Sequence, residues 1–360
     1  MEKVRIGVIG TGFARSTQIP TFKNCAGAEI VSIASASFQN AEKVAHHFDI
    51  VHFTDNWKET VERTDVDLIS ITTPPLFHHE MALYALECEK HVICEKPMAM
   101  NAAQAEEMTM RANEKGLLAL IDHELRFLNV RRKAFDLVRA GKIGKITHAK
   151  QTFRNGARGV TDVKWNWWSD ENAGGGVLGA IGSHGIDSFR WLLGTQVDEV
   201  FCSLKANITE RADINGDILT VTSDDEANLI LRFADGEFTE NASGTASFSV
   251  FEAGEYEFCT HLFGTDGALL IGESRELKFV SAGSGEWQNI EVDVGEPAPG
   301  LPANAWTIGS MAFAEKIVES LLNGKSTVEN AATFADGFEV QKILDAARLS
   351  NSTKAVVRVT

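Results

Sequence analysis

The sequence predicts an α/β protein with two domains, the first built on a parallel sheet and the second an α+β fold with a large, open, mainly antiparallel sheet. Up to about residue 122, short apolar runs alternate with helical patterns, as in βαβ units. After Ile143, long runs alternate between apolar and polar residues with little helix between them, which favours an antiparallel sheet with one exposed face. We therefore expect one domain over residues 1–122 and another over 123–360, with the C-terminal helices free to pack back on the first.

In the first domain, each short apolar run ends before a helical pattern. The expected strands are Val4–Ile9, Ile30–Ser35, Leu68–Thr72, His91–Cys94 and Leu117–Ile121. The expected helices lie near residues 14–24, 39–48, 55–63, 78–88 and 101–115. Because right-handed crossovers join parallel strands, the loops that follow these strands should meet along one edge of the sheet.

The second domain is expected to follow a linking helix, Phe127–Ala140, which ends at Gly141. The expected strands are Ile146–Arg154, Val200–Ile208, Ile218–Thr222, Glu226–Phe233, Phe238–Ser247, Tyr256–Phe263, Leu277–Val280 and Trp287–Val292. The expected helices are Val177–Leu193 and two near residues 304–323 and 329–350.

The composition excludes several classes of partner. A formal net charge of -16 gives no basic footprint for nucleic acid or for an anionic membrane. No apolar run reaches the length of a membrane span, and we expect no secretory signal. The five cysteines are scattered and never spaced as C-x-x-C, so we expect reduced thiols, no metal site and a cytoplasmic protein.

A glycine turn follows the first expected strand. Gly10 permits a tight turn and Gly12 lets the backbone approach a pyrophosphate, while the following helix supplies amide donors. The third position of the G-x-G-x-x-G pattern is Arg15 instead of glycine, although an arginine can itself reach a phosphate. Two glycines in a turn are also common in unrelated proteins. The expected dinucleotide contacts here are Gly10, Thr11, Gly12, Phe13 and Arg15.

The ends of two further strands border the same edge. At the end of the second strand, where Ser35 lies, a carboxylate would favour NAD and a nearby arginine would favour NADP. The chain has neither, so the choice between NAD and NADP stays open. Thr73 and Pro74 end the third strand and His78 starts the next helix, where they would border the nicotinamide half of a cofactor. The alternative is a proline-terminated strand followed by a structural histidine.

The tripeptide Glu95-Lys96-Pro97 places a lysine at the end of the fourth expected strand. Proline excludes the preceding residue from the helical region, so Lys96 is held in an extended or turn backbone. We expect Glu95 to orient Lys96 or the cofactor. Taken alone, the tripeptide is explained as well by a surface lysine beside a turn.

A glycine-rich segment, Gly174–Asp187, contains a single histidine, His184. Glycine costs about 1 kcal/mol in a helix interior, so this density of glycines suggests close approach to another backbone or to a ligand. His184 shares a helical face with Ala180 and Asp187. A lone helical histidine is otherwise usually structural.

Together these motifs resemble the Gfo/Idh/MocA oxidoreductase family. The resemblance rests on the glycine turn, the Thr-Pro pair with His78, the segment His91–Pro97 and the segment Gly174–Asp187, and it covers nearly the whole chain. It implies an N-terminal Rossmann dinucleotide-binding domain and an open antiparallel sheet of the kind that often mediates oligomers. It also implies NAD(P)-dependent oxidation or reduction of sugars and related polyols.

The resemblance assigns roles to particular residues. It implies that Lys96 is the catalytic lysine, with a cis bond to Pro97, and that His184 is the catalytic histidine. The family commonly has aspartate four residues before this histidine, where this chain has Ala180, so a substrate-binding carboxylate on that face is missing. Asp187 matches the last aspartate of the motif and would orient His184 or cap local structure. The expected substrate contacts are His123, Arg126, Trp165, Trp168 and Asp187.

Three functions are compatible with these motifs. The first is reversible hydride transfer between nicotinamide and a carbinol or keto carbon of a sugar, polyol or related derivative, with Lys96 and His184 handling the proton. The second uses a tightly bound cofactor for transient sugar oxidation that assists elimination, epimerisation or glycoside cleavage. The third is a non-catalytic nucleotide sensor. For each we expect a homodimer or homotetramer formed through the C-terminal sheet.

Overall fold

The computed structural model describes residues 2–160, 162–298 and 301–360. The chain divides into two compact units. Unit 1 comprises Met1–Leu128 and Gly295–Phe338, and unit 2 comprises Asn129–Val294 and Glu339–Thr360. Unit 1 thus includes a segment that follows the second domain in the sequence.

The strands of the described residues are numbered here in chain order. They are β1 Val4–Ile9, β2 Ala28–Ala34, β3 His52–Thr54, β4 Leu68–Ile71, β5 His91–Cys94, β6 Ala119–Ile121, β7 Ile146–Asn155, β8 Val197–Lys205, β9 Glu210–Ala212, β10 Ile218–Thr220, β11 Glu226–Phe233, β12 Thr239–Ser249, β13 Tyr256–Gly264, β14 Gly267–Ile271, β15 Leu277–Ser281, β16 Gln288–Asn289 and β17 Val357–Arg358.

The α-helices of the described residues are numbered in the same way. They are α1 Phe13–Ser16, α2 Gln18–Lys23, α3 Phe38–Phe48, α4 Trp57–Glu62, α5 His78–Glu87, α6 Ala102–Lys115, α7 Asn129–Arg139, α8 Ser183–Leu193, α9 Ala305–Leu322 and α10 Phe334–Thr353. Short 3₁₀ helices span Pro75–Phe77, Glu124–Phe127, Trp167–Ser169 and Glu171–Ala173, and a π-helix spans Leu178–Gly182.

Unit 1 contains a six-stranded sheet in the order β3-β2-β1-β4-β5-β6, in which every neighbouring pair is parallel. This is the strand order of a dinucleotide-binding Rossmann domain, and it reverses between β1 and β4. The predicted parallel sheet is therefore confirmed. The core on one side of the sheet includes apolar residues of α2, α3 and α9, and the core on the other side includes those of α4, α5 and α6.

The helix expected near residues 14–24 is split into α1 and α2 at Thr17, where φ is -134°. Pro20 lies in the first turn of α2 and has no N–H to donate to the carbonyl of Ser16, so the chain cannot continue as one α-helix.

Unit 2 contains a nine-stranded sheet in the order β16-β15-β14-β13-β7-β12-β11-β8-β17, and a separate two-stranded pair, β9–β10. Strands β12 and β7 pair in parallel, whereas the other neighbouring pairs of the large sheet are antiparallel. The expected mainly antiparallel sheet is confirmed. The strand β14 was not predicted, because its sequence, Gly267 to Ile271, is a continuous apolar run without alternation.

Helix α8 lies against the large sheet of unit 2, and all of its residues are buried. At Gly185 a Cβ atom would lie 2.5 Å from Cζ of Phe248 on β12 and 2.8 Å from Oε1 of Gln151 on β7. The glycine therefore lets the helix approach the sheet closely, as the glycine-rich sequence predicted.

Within the described residues, no helix combines the length and the apolar character that a membrane crossing requires.

Candidate functional site

The glycine turn of unit 1 has two glycines with different structural needs. Gly10 has φ +107°, and a Cβ there would lie 2.7 Å from the carbonyl oxygen of Thr72, so only glycine fits. Gly12 has φ -72°, and a Cβ there would meet no described atom within 4 Å. Neither the backbone conformation nor a neighbouring described atom requires glycine at position 12. The backbone at Gly12 is therefore open on the side from which a pyrophosphate would approach. The turn therefore fits a dinucleotide.

The residues around the turn lie at the carboxyl edge of the parallel sheet. The hydroxyl groups of Thr11 and Ser35 are hydrogen-bonded at 3.0 Å, which connects the ends of β1 and β2. Phe13 and Arg15 are exposed on α1, a helix of four residues. Because α1 is so short, its macrodipole is small, and most of the attraction for a phosphate must come from the turn amides and Arg15.

His78 holds two loops of this edge together. Its side chain is completely buried, with Nδ1 at 3.1 Å from the carbonyl oxygen of Pro97 and Nε2 at 2.8 Å from that of Thr73. Burial lowers the pKa of His78 to about 4, so the ring is neutral at neutral pH. A neutral imidazole has one N–H and donates to one carbonyl at a time. Thr73 and Pro74 themselves are partly exposed.

Lys96 lies at the carboxyl end of β5, at the same edge of the sheet as the glycine turn. Its side chain is partly exposed, and the Lys96–Pro97 peptide bond is cis, as the resemblance implied. Glu95 is buried, and its Oε2 accepts a hydrogen bond of 3.3 Å from the backbone N–H of Lys96. Glu95 is therefore fixed relative to the backbone that carries the lysine.

A buried polar network supports Glu95, and the sequence did not reveal it. The side-chain amide of Gln18 donates to Oε1 of Glu95 at 3.4 Å and, over a shorter distance, to Oδ2 of Asp122. Its Oε1 accepts from the hydroxyl of Ser70 at 3.3 Å. Burial raises the pKa of Asp122 well above its usual range, and the charges of Glu124 and Glu95 add to the effect. Only the position of Asp122 directly after a strand could have drawn attention to it.

The expected substrate residues of unit 1 are largely buried. His123 is 2% exposed and Arg126 is 5% exposed. A guanidinium nitrogen of Arg126 lies 3.3 Å from Oδ1 of Asp336 at the start of α10. Arg126 therefore has a structural partner within its own unit.

In unit 2, His184 is in the first turn of α8 and is 3% exposed. Ala180, in the π-helix that leads into α8, is 6% exposed, and Asp187 is 1% exposed. The predicted helix thus brings these three residues into one buried segment.

Asp224 holds the beginning of this segment, a role that sequence reasoning missed. Its Oδ2 accepts a hydrogen bond of 2.7 Å from the backbone N–H of Leu178, and its carbonyl oxygen accepts one of 2.9 Å from Val177. Gly176, just before, has φ +109°, and a Cβ there would collide with the Asp224 carboxyl. Burial raises the pKa of Asp224 to about 6. The pair Asp224-Asp225 after a strand-like run was the available signal.

Trp165 and Trp168 lie in different settings within unit 2. The indole N–H of Trp165 donates to the carbonyl of Thr220 on β10 at 2.9 Å. The Arg158 guanidinium lies over the Trp168 ring, 4.5 Å from the ring centroid. The backbone carbonyl oxygen of Trp168 accepts a hydrogen bond of 2.8 Å from the hydroxyl of Ser223. Of these two residues, Trp168 is hydrogen-bonded to Ser223, which directly precedes Asp224, whereas Trp165 is hydrogen-bonded to β10.

The described residues contain no group of three or more His, Cys, Asp or Glu side chains placed to hold a metal ion.

Two family models match the chain. One is described as an oxidoreductase family with an NAD-binding Rossmann fold and matches residues 4–123. The other is described as the GFO/IDH/MocA C-terminal domain and matches residues 131–270.

The chain is also similar to individual proteins along nearly its whole length. Levoglucosan dehydrogenase of Pseudarthrobacter phenanthrenivorans is 28% identical, with 96% of this chain and 95% of that protein aligned. The 2,7-anhydro-N-acetylneuraminate hydratase of Mediterraneibacter gnavus is 25% identical, with 90% and 87% aligned. A solved structure of levoglucosan dehydrogenase in complex with NADH has a TM-score of 0.87 at 25% identity and covers 99% of both chains.

Proposed function

This chain belongs to the Gfo/Idh/MocA oxidoreductase family, and we propose on that basis that it is an NAD(P)-dependent dehydrogenase or reductase acting on a CH–OH carbon of a sugar, polyol or related derivative. The observation that carries the proposal is the position of Lys96. A partly exposed lysine follows β5 at the edge of the sheet where the Gly10 turn fits a dinucleotide. Ligands of such sheets collect beyond the carboxyl ends of the strands.

The cofactor would be held by the ends of β1, β2 and β4. The amides around Gly12 are open to a pyrophosphate, Arg15 adds a cation, and the Thr11–Ser35 pair offers hydroxyl groups to a ribose. When bound, the nicotinamide accepts or supplies the hydride. Thr73 and Pro74 border its expected position, whereas buried His78 acts by holding their loop against Pro97. Ser35 offers hydrogen bonds to either NAD or NADP, so both remain candidates.

Lys96 would handle the proton of the reaction. In the oxidation direction the hydroxyl oxygen of the substrate loses its proton to a base while the hydride leaves the same carbon; in the reduction direction the oxygen takes the proton back. A lysine amine can do both within hydrogen-bonding distance of that oxygen. Glu95 orients the Lys96 backbone through its hydrogen bond. His184 is the second proposed acid–base group, because it matches the family histidine in the predicted segment.

Several further residues are proposed contacts for a sugar-like substrate. Aromatic faces of Trp165 and Trp168 suit the apolar faces of a sugar, and both rings are partly exposed. Three further proposed contacts are His123, Arg126 and Asp187. Because their side chains are almost completely buried, we expect them to contact the substrate only through their polar atoms. The similar protein from Pseudarthrobacter acts on levoglucosan by name, which supports an anhydro-sugar or related polyol as the first substrates to assay.

Replacement of Lys96 tests the proposal. We expect Lys96→Ala to lower turnover at least about a hundredfold, while the affinity for NAD(H) or NADP(H) changes much less. The matched control is Lys43→Ala, which removes an exposed lysine of α3. Steady-state rates over a panel of sugars and keto-sugars, with cofactor affinity from nicotinamide fluorescence, decide the matter. Full turnover in Lys96→Ala would remove the lysine from the mechanism, and cofactor binding without turnover on any substrate would favour a nucleotide sensor.

A second candidate function is supported by the similarity to a hydratase. That relative performs by name a hydration, not a net redox reaction. In this alternative the cofactor stays bound and a transient sugar oxidation assists elimination, epimerisation or glycoside cleavage. Product that forms without net change in nicotinamide absorbance would favour it, and stoichiometric absorbance change would exclude it.

The assembly and compartment belong to the same proposal. We propose a homodimer or homotetramer formed through the large sheet of unit 2, where residues such as Ile230 and Tyr256 are 57% and 60% exposed. Light scattering on the purified protein tests this, and a monomer at micromolar concentration would contradict it. The protein is proposed to be cytoplasmic because its five cysteines are all free thiols.

A further inference from the structure

Arg158, in unit 2, has a guanidinium group that the protein does not neutralise. Among the described residues, its Nη2 is enclosed by protein atoms and has no hydrogen-bond partner. The charge that acts on the group is a second cation, Arg211, which together with burial lowers the pKa of Arg158 to about 10. The guanidinium is therefore still charged at neutral pH, and no described carboxylate compensates that charge.

The carboxylates on the neighbouring strands are paired with a different arginine. Nε of Arg154, on β7, donates to Oε2 of Glu252 at 2.8 Å, and its Nη2 lies 3.6 Å from Oε1 of Glu226 on β11. Arg158 follows Arg154 by four residues, and the side chain packed against it is Trp168 instead of an acid. This part of unit 2 thus has acidic groups, but they do not serve Arg158.

The backbone of Arg158 is held on both sides. Its N–H donates to the carbonyl of Val250 at 2.8 Å, and its own carbonyl accepts a hydrogen bond from the Arg211 guanidinium. At Gly159, the next residue, a Cβ would lie 2.3 Å from the carbonyl oxygen of Phe251. Glycine therefore lets this loop pack directly against the segment that follows β12, and Arg158 is presented from a fixed position.

Trp168 fixes the direction of the Arg158 side chain. The guanidinium lies 4.5 Å from the ring centroid, within the range of a cation–π contact. The Trp168 backbone is fixed in turn, because its carbonyl accepts from Ser223 and a Cβ at Gly175 would lie 2.4 Å from the same oxygen. Gly175 belongs to the glycine-rich segment that contains His184, so the Arg158–Trp168 pair is packed against the segment of a proposed catalytic residue.

A guanidinium held in this way is suited to bind an anion. Stacking on an aromatic ring occupies one face of the planar group, whereas its N–H groups point outward in the plane and can form two parallel hydrogen bonds with a carboxylate or a phosphate. The side chain is partly exposed, so a ligand can reach it. An anionic ligand would also supply the negative charge that the described residues around Arg158 do not supply, whereas a neutral hydroxyl group would not.

We propose that Arg158, stacked on Trp168, binds an anionic substituent of the substrate, a carboxylate or a phosphate, so that the enzyme prefers acidic sugars to neutral ones. This inference rests on the proposed function for the identity of the ligand as a substrate. Arg158 contacts the substituent and not the reacting carbon, so it determines specificity and takes no part in hydride or proton transfer.

Calorimetric titration of the protein with sugars, in the presence of NADH or NADPH, tests the proposal without turnover. The ligands are glucose, glucuronate and glucose 6-phosphate, which carry a neutral group, a carboxylate and a phosphate on the same type of ring. We expect at least one of the two acidic sugars to bind about tenfold more tightly than glucose, or better, and the tighter of the two identifies the anion. Failure of both to bind more tightly than glucose would overturn the proposal.

Arg158→Gln should remove most of this preference. We expect the affinity for the preferred acidic sugar to fall about tenfold, while the affinity for glucose changes less than about twofold. Arg158→Lys keeps the charge without the planar fork and should lose less. The matched control is Arg358→Gln, the same chemical change at an exposed arginine that pairs with Glu199, and it should leave the preference intact. Equal losses for glucose and the acidic sugar in Arg158→Gln would overturn the proposal.

Thermal unfolding separates ligand binding from a structural role. Because Arg158 lacks an acidic partner among the described residues, we expect the unfolding midpoint of Arg158→Gln to stay within about 2 °C of the wild type. Arg211→Gln should lower the midpoint further, since Arg211 donates to the carbonyls of Val160 and Val163. A larger decrease in Arg158→Gln than in Arg211→Gln would mean that Arg158 serves the fold and would overturn the proposal. The proposed function fails separately, if the wild type transfers hydride with no sugar, acidic or neutral.

Discussion

His78 in unit 1 and Asp224 in unit 2 both hold a backbone segment through hydrogen bonds, but one side chain is a base and the other is an acid. Each is a titratable side chain that fixes the backbone next to a proposed catalytic residue. His78 lies against the carbonyls of Thr73 and Pro97, beside Lys96. Asp224 accepts the N–H of Leu178, at the start of the π-helix that leads to His184.

The two environments move the pKa values in opposite directions, and the cause is the same. Burial opposes the charged form of each group, so it lowers the pKa of His78 to about 4 and raises that of Asp224 to about 6. At neutral pH the His78 ring is neutral, which is the form that burial favours. At the same pH the Asp224 carboxyl is ionised, and burial of this charge lowers the stability of the folded protein. The two units should therefore respond to acid with opposite sign.

Acidification should destabilise unit 1 through His78, and this is the largest effect we expect. The folded protein binds the proton of His78 more weakly than the unfolded chain does, so its contribution is complete above about pH 6.5 and is lost as pH falls towards 4. The full loss is about 3 kcal/mol. Hydrogen-exchange protection factors for the amides of β4 and β5, compared with those of β11 and β12, measure it. In His78→Gln, which does not titrate, the additional loss should disappear; an unchanged pH dependence in this variant would contradict the role of His78.

The helix of unit 2 depends on close packing as well as on Asp224. A Cβ at Gly185 would overlap Phe248 and Gln151, so we expect Gly185→Ala to lower the free energy of unfolding by about 2 kcal/mol despite the better helix propensity of alanine. Gly182→Ala is the control, because its nearest contact would be 3.2 Å from the flexible Leu178 side chain. Urea denaturation curves of the two variants should differ, and similar midpoints would mean that the helix can move away from the sheet at little cost.

The parallel sheet of unit 1 and the place of the proposed catalytic lysine could be predicted because they depend on local patterns. Apolar runs followed by helical periodicity predict βαβ units, and Lys96 lies at the end of one such run. The return of Gly295–Phe338 to unit 1 could not be predicted in this way. Helix α9 adds apolar residues such as Phe313 and Ile317 to the core under β1, a contact between distant parts of the chain that periodicity does not encode.

The groups that support the candidate site were missed for a related reason. Gln18, Asp122 and Asp224 act through contacts with residues far away in the sequence, and each is an ordinary polar residue in its own segment. Motifs describe the residues that would meet a ligand, whereas these three meet other protein groups. Only the three-dimensional structure shows that their side chains converge on Glu95 and Leu178.

Asp224→Asn should remove the pH response that Asp224 gives to unit 2. A carboxyl whose pKa is raised in the folded state gives most stability below its usual value of 3.8, and that stability is lost as pH rises through about 6. Asparagine can still accept the hydrogen bond from Leu178 but carries no charge. Because Asp224 is partly exposed, we expect the variant to gain only about 1–2 kcal/mol over the wild type at pH 7.5, and little at pH 4. Thermal unfolding at the two pH values measures the gain, and an equal difference at both would exclude titration of Asp224 as its cause.

Ala180→Asp tests whether unit 2 determines substrate choice while unit 1 determines cofactor binding. The variant places a carboxylate one helical turn before His184, where the family commonly has aspartate and this chain has a residue that is 6% exposed. We expect the ratio of kcat/KM between two sugars to change by roughly threefold or more, which is under about 1 kcal/mol at the lower limit, with NAD(H) affinity nearly constant. Ala180→Asn has the same size without the charge and should change the ratio less. An unchanged ratio in Ala180→Asp, or an equal change in both variants, would mean that the negative charge of a carboxylate at this position does not select the substrate, because asparagine has the same size and an uncharged amide in its place.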